Sequence, residues 1–136
     1  MNIEKHIEHT ALKPETTLAD IEEFCAEAKA YEFTMVCVPP LFVKKAKELT
    51  ASSAVKVATV AGFPLGYNAI EAKVAEIVLA VIDGADEVEM VINTSAVKNK
   101  DWQYLANEIN TVLPIIRGKG KKITVTLDTA LMTDEA

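Results

Sequence analysis

Short runs of apolar residues rich in valine alternate along this chain with longer stretches whose apolar positions recur at helical spacing. The runs end near Thr10, Cys37, Gly62, Asn93 and Asp128, each at a polar or turn-forming residue. Thr17-Leu18-Ala19-Asp20 predicts a helix start: the threonine caps, an acid follows three residues later, and Leu18, Ile21, Phe24, Cys25 and Ala28 share one face up to about Tyr31. Residues 33–38 read as a strand closed by Pro39-Pro40, which cannot continue a central strand. A second helix is expected over about 41–49, then a strand over 55–61 broken by Gly62-Phe63-Pro64-Leu65-Gly66. Asn68 with Glu71 makes another cap signature ahead of Ile70, Val74, Ile77 and Val81, and Asp83-Gly84 ends that helix through a left-handed glycine. A strand over 87–92, a helix over 102–116 and a strand over 123–127 complete the pattern. Thr133-Asp134-Glu135-Ala136 reads as the cap and acidic first turn of one more helix, so the chain is expected to hold only part of a longer βα series.

Strands followed each time by helices demand a parallel sheet with right-handed crossovers, and no linker or low-complexity tract divides residues 1–136, which read as a single domain. Two α/β architectures fit. About five βα units form either part of a TIM (β/α)8 barrel, whose usual size is about 250 residues, or a rearranged flavodoxin-like sheet. The segment after the first run, His9-Thr10-Ala11-Leu12-Lys13-Pro14, lacks the glycine-rich turn of doubly wound nucleotide-binding domains, which favours the incomplete barrel. In both folds the chemistry gathers at the C-terminal ends of strands.

Composition narrows the function classes. Of the 136 residues, 50% are hydrophobic and 25% charged, and no apolar stretch reaches the roughly 18–20 residues needed to cross a bilayer, so no membrane partner is expected. Met1-Asn2-Ile3-Glu4-Lys5-His6 lacks a basic flank and apolar core, which argues against a secretory signal and for a cytoplasmic location. A net charge of -6 with scattered Lys and Arg removes the footprint of a nucleic-acid binder. Cys25 and Cys37 have neither CxxC spacing nor histidine partners; reduced thiols and no metal are expected.

The strand-end segments carry a resemblance. Ile7-Glu8-His9-Thr10-Ala11-Leu12-Lys13-Pro14, Val36-Cys37-Val38 with Pro40, Gly62-Phe63-Pro64-Leu65-Gly66, Gly84-Ala85-Asp86-Glu87-Val88-Glu89-Met90-Val91-Ile92-Asn93 and Leu131-Met132-Thr133-Asp134-Glu135 resemble, in this order, the motifs of deoxyribose-phosphate aldolase. The resemblance implies a TIM barrel and reversible cleavage of 2-deoxy-D-ribose 5-phosphate to glyceraldehyde 3-phosphate and acetaldehyde, through a Schiff base on a lysine and without metal or cofactor. Schiff-base chemistry needs an amine deprotonated near neutral pH, a neighbouring cation or desolvation to make it so, and a carboxylate with water to move protons. The resemblance places the imine lysine on the sixth strand, in a Lys-Thr-Ser-Thr-Gly type motif, and the second lysine on the seventh. It also assigns the phosphate-binding loops to the last strands. Residues 1–136 contain none of these, so this chain alone is expected not to turn over the sugar phosphate.

By resemblance, Glu89 stands where the family carries its proton-relay aspartate, and Glu8 likewise replaces an aspartate; each arm is one methylene longer. A misplacement near 1 Å can cost on the order of a hundredfold in rate. Thr124 stands where a lysine is usual and Pro39 where an asparagine is common. The substrate pocket candidates are Glu8, Thr10, Cys37, Phe63, Thr124 and Asp128, with Glu89 catalytic. Plainer readings stand beside these: Glu89 in a satisfied ion pair, since an unpaired carboxylate in an apolar run is costly, Cys37 as a small hydrophobe, Thr10 as a turn cap, Phe63 as a loop former and Asp128 as a solvated acid. Lys122, one layer deeper than Thr124, is not taken as a nucleophile; His6 and His9 have no triad or ligand spacing; Lys44, Lys45 and Lys47 read as a solvated helix face. The exposed edges and uncovered apolar faces of an incomplete barrel predict a homo-oligomer. The alternative function is a non-catalytic α/β binding or assembly domain.

Overall fold

A computed structural model describes residues 8–126, with side chains from Thr10 to Lys121 and at Ile123. Five strands alternate with helices: β1 (Glu8–Thr10), α1 (Leu18–Ala30), β2 (Met35–Cys37), a 3₁₀ turn (Pro40–Phe42) leading into α2 (Val43–Thr50), β3 (Lys56–Ala61), α3 (Ile70–Ile82), β4 (Glu87–Val91), α4 (Thr94–Lys98), α5 (Trp102–Arg117) and β5 (Lys122–Thr126). The sheet order is β1-β2-β3-β4-β5 and every pairing is parallel. This order excludes the flavodoxin-like alternative, in which the chain reverses direction after its first two strands. A sheet that always advances one way through right-handed crossovers carries its helices on one face, as a barrel wall does. Accordingly α1 packs on α2 and α3 on α5.

β2 and β3 are buried on both faces, which is why these two read as near-continuous hydrophobic runs. Val36, Val38, Val57, Val88 and Met90 face the helices, packing with Ile21, Cys25, Val43, Ile77 and Val112. The alternate positions Met35, Cys37, Ala58 and Val60, with Leu12 against them, form a second, smaller cluster on the inner face. Burial pushes the Cys25 thiol up, with Lys29 opposing, so this cysteine is an unreactive core residue.

Local signals account for most boundaries. Thr17 and Asp20 close the expected capping box at 3.2 and 2.9 Å. Gly84 (φ 101°) ends α3 with Ala85 N–H donating to the Ala80 carbonyl and Gly84 N–H to that of Val81, a Schellman closure. The Asn68 cap does not form. The Ala69 carbonyl accepts the first helical amides, from Ala72 and Lys73, which leaves Asn68 one residue too early. Helix α4 was not expected; the Asn93 side chain starts it by accepting the Ala96 amide at 3.1 Å.

Lys47 corrects the solvated-face reading of α2. Its ammonium donates to Asp86 at 2.7 Å, and its stem covers Gly84. Asp86 also accepts the Val57 amide at 2.9 Å and lies 3.8 Å from Lys121, tying α2, β3 and β4 together below the sheet. Burial alone pushes its carboxyl up, but the Lys47 and Val57 hydrogen bonds and the two lysine charges outweigh it and hold the group below the ordinary carboxylate range. A carboxyl lowered on folding contributes stability above its unfolded pKa, near 3.8, and loses it as pH falls through the lower folded value. Asp86→Asn keeps an acceptor for Val57 and removes the charge, so it should cost about 1 kcal/mol at neutral pH. Urea midpoints of the two proteins should converge below pH 4; a constant gap down to pH 2 would contradict the assignment.

Candidate active site

Residues paired across parallel strands share a face, and faces alternate along each strand. Thr10 pairs with Cys37, Cys37 with Ala58 and Ala58 with Glu87. Two residues beyond Glu87 on the same face lies Glu89, directly paired with Val60. The register therefore brings Glu89 onto the inner face with Thr10 and Cys37, toward the strands' C-terminal ends. Glu89 is half-buried and Thr10 exposed, while Cys37 and Val60 are buried within the inner cluster. A half-buried carboxylate on this face is of the type that serves proton transfer. Cys37 is 1% exposed.

The other expected residues divide by position. Phe63 lies in the loop after β3, 44% exposed, and is joined to Pro64 by a cis peptide bond. Thr124 pairs with Glu89 across β4 and β5, and Glu8 pairs with Met35; register alone places these two. Asp128 lies outside the described residues, as does His6. A cavity of about 440 Å³ lined by Lys29, Phe33, Thr34, Ser53 and Lys56 opens at the opposite, N-terminal ends of β2 and β3. That end of a βα barrel serves stability, and the cavity is remote from Glu89 along the strands.

The strand-end loops rest on a buried frame that the sequence reading passed over. The β3–α3 loop closes through Gly66 N–H donating to the Gly62 carbonyl at 2.7 Å, with both glycines at left-handed φ, 67° and 76°. Glu76 accepts the Gly62 amide at 3.2 Å, and the fully buried Lys73 donates to the Gly66 carbonyl at 2.7 Å. Lys73 also pairs with Glu108, equally buried, whose second oxygen lies 3.4 Å from the Asn93 amide. With its ammonium donating to a carboxylate and a carbonyl, Lys73 is placed as a structural cation and not as a nucleophile. One signal could have found it: Lys73 sits three and four residues from Ile70 and Ile77, and Glu108 likewise from Leu105 and Val112, so both charges fall on apolar stripes.

Comparison with known proteins places this architecture. A deoxyribose-phosphate aldolase of Thermoanaerobacter pseudethanolicus is 48% identical over 136 residues, covering 99% of this chain and 61% of its own length. One of Thermococcus gammatolerans is 46% identical over 137 residues, again covering 99% of this chain and 61% of its own length. The chain thus spans about three fifths of the curated relatives it matches. Among solved structures, the aldolase QR15 superposes with a TM-score of 0.88 at 34% identity, over 98% of this chain and 58% of its own. The deoxyribose phosphate aldolase of Aeropyrum pernix, described as a tetramer, gives 0.87 at 26% identity over 98% and 55%. Since the sequence profile of the DeoC/LacD family aldolases also matches residues 3–115, with the inner-face carboxylate inside the matched span, this chain belongs to that family of lyases.

Proposed function

We propose that this chain supplies the carboxylate-bearing part of a class I aldolase site that cleaves 2-deoxy-D-ribose 5-phosphate to glyceraldehyde 3-phosphate and acetaldehyde. In this reading a lysine amine outside these 136 residues attacks the substrate carbonyl and, with loss of water, forms the imine. Carbon–carbon cleavage then leaves an enamine, to which Glu89 with a bound water returns a proton. Thr10, Cys37 and Phe63 line the pocket, together with Glu8, Thr124 and Asp128. The observation that supports the reading is the register that sets Glu89 level with Val60, one layer beyond the terminal residues Thr10 and Cys37 of β1 and β2 and on the face it shares with them. The partners implied are a sugar phosphate or small aldehyde and further copies of the chain in a homo-oligomer, in the cytoplasm.

Borohydride reduction in the presence of acetaldehyde tests the division of labour. This chain should gain no adduct by intact mass, whereas the same residues continued into a Lys-Thr-x-Thr-Gly strand should gain one ethyl group on that lysine. An ethylated lysine on residues 1–136 alone overturns the reading. The glutamates at positions 8 and 89 and Thr124 favour the second reading, a non-catalytic binding or assembly domain; turnover by the continued chain rules it out.

A further inference from the structure

We infer that the buried Lys73–Glu108 pair is a positioning device that couples the β3–α3 loop to the end of β4, making the two strand-end segments one mechanical unit. Each charge has one bond to its partner and one to the backbone of a different loop. Lys73 Nζ donates to the Gly66 carbonyl at 2.7 Å, and Glu108 faces the Asn93 amide at 3.4 Å. Asn93 in turn caps α4 at 3.1 Å, and Glu76, on the same helix as Lys73, holds the other end of the glycine loop through the Gly62 amide. Loop and strand end are also in steric contact: a Cβ on Gly66 would collide with the Ile92 carbonyl and with the Val91 side chain, and one on Gly62 would meet the Lys73 stem at 2.7 Å. Removing a partner from such a pair leaves a dehydrated charge, but replacing both with apolar residues of similar size is commonly neutral or stabilising, so coupling and stability can be separated.

The importance of the device for catalysis rests on the aldolase reading, because Phe63 lies in the first segment and Glu89 four residues before Asn93. The coupling itself does not, so its test reads amide exchange and not turnover. In Lys73→Met/Glu108→Leu the fold should be retained, with exchange of the amides of residues 62–68 and 93–97 rising at least tenfold and that of α1 and α2 unchanged. A folded double variant with both segments as protected as before overturns the inference. Should the double variant not fold, the unmodified chain decides: under native conditions with increasing urea, amides of the two segments should open with one common free energy and one denaturant slope. Different slopes for the two segments overturn the coupling. Loss of turnover in the continued enzyme without altered exchange would leave the aldolase reading standing and remove this one.

Discussion

Glu108→Leu, made alone, should lower stability by about 3–5 kcal/mol, since it strands the Lys73 ammonium at zero exposure with only the Gly66 carbonyl as acceptor. Domains of this kind hold only about 5–15 kcal/mol in total, so the single change removes about a fifth or more of the reserve. Lys73→Met should cost a similar amount, leaving Glu108 with only the Asn93 amide at 3.4 Å. Combining the two should recover most of the loss, because no unpaired charge then remains and the surrounding Ile77, Leu105 and Val112 accept apolar side chains. Urea denaturation followed by circular dichroism reads the three variants. The midpoint should fall in each single variant and return in the double with an unchanged slope. A single variant within about 1 kcal/mol of the unmodified chain would mean that water reaches the pair.

How much of this arrangement is legible in the sequence depends on the range of the interaction involved. The second and third strands announced themselves because both of their faces are buried, which turns each into a nearly unbroken apolar run bounded by Pro39-Pro40 or Gly62. Local closures such as the Thr17–Asp20 box and the Gly84 turn were equally visible, since all the atoms involved lie within four residues. Strand order was not legible in the alternation, which fits two architectures; the absent glycine-rich turn and the family resemblance favoured the barrel, and the pairing of β2 with β3 excludes the other. Long-range polar contacts escaped most completely. Lys47 and Asp86 are 39 residues apart and Lys73 and Glu108 are 35 apart, and nothing in either local pattern says which opposite charge it meets. The Asn68 cap failed for the opposite reason, as a good local signal displaced by one residue when the helix took its first turn from Ala69.

The same separation of local and distant forces frames the expected effect at Glu89. In an enzyme containing these residues and the imine lysine, Glu89→Gln should lower kcat by about 10²–10⁴, the usual worth of a positioned proton-transfer group. The amide has nearly the shape of the acid, so its place beside Val60 persists and the fold should be retained. Glu89→Asp is the informative companion. It retains the charge and withdraws the oxygens by one methylene, so a rate within about a hundredfold of the parent, in either direction, is expected for a displacement near 1 Å. Solvent deuterium entering the methyl group of acetaldehyde reports enamine protonation directly, and it should slow in parallel with kcat for Glu89→Gln. If deuterium entry kept its rate while cleavage slowed, Glu89 would be acting on the carbon–carbon bond step, and the proton relay would belong to another group at the strand ends.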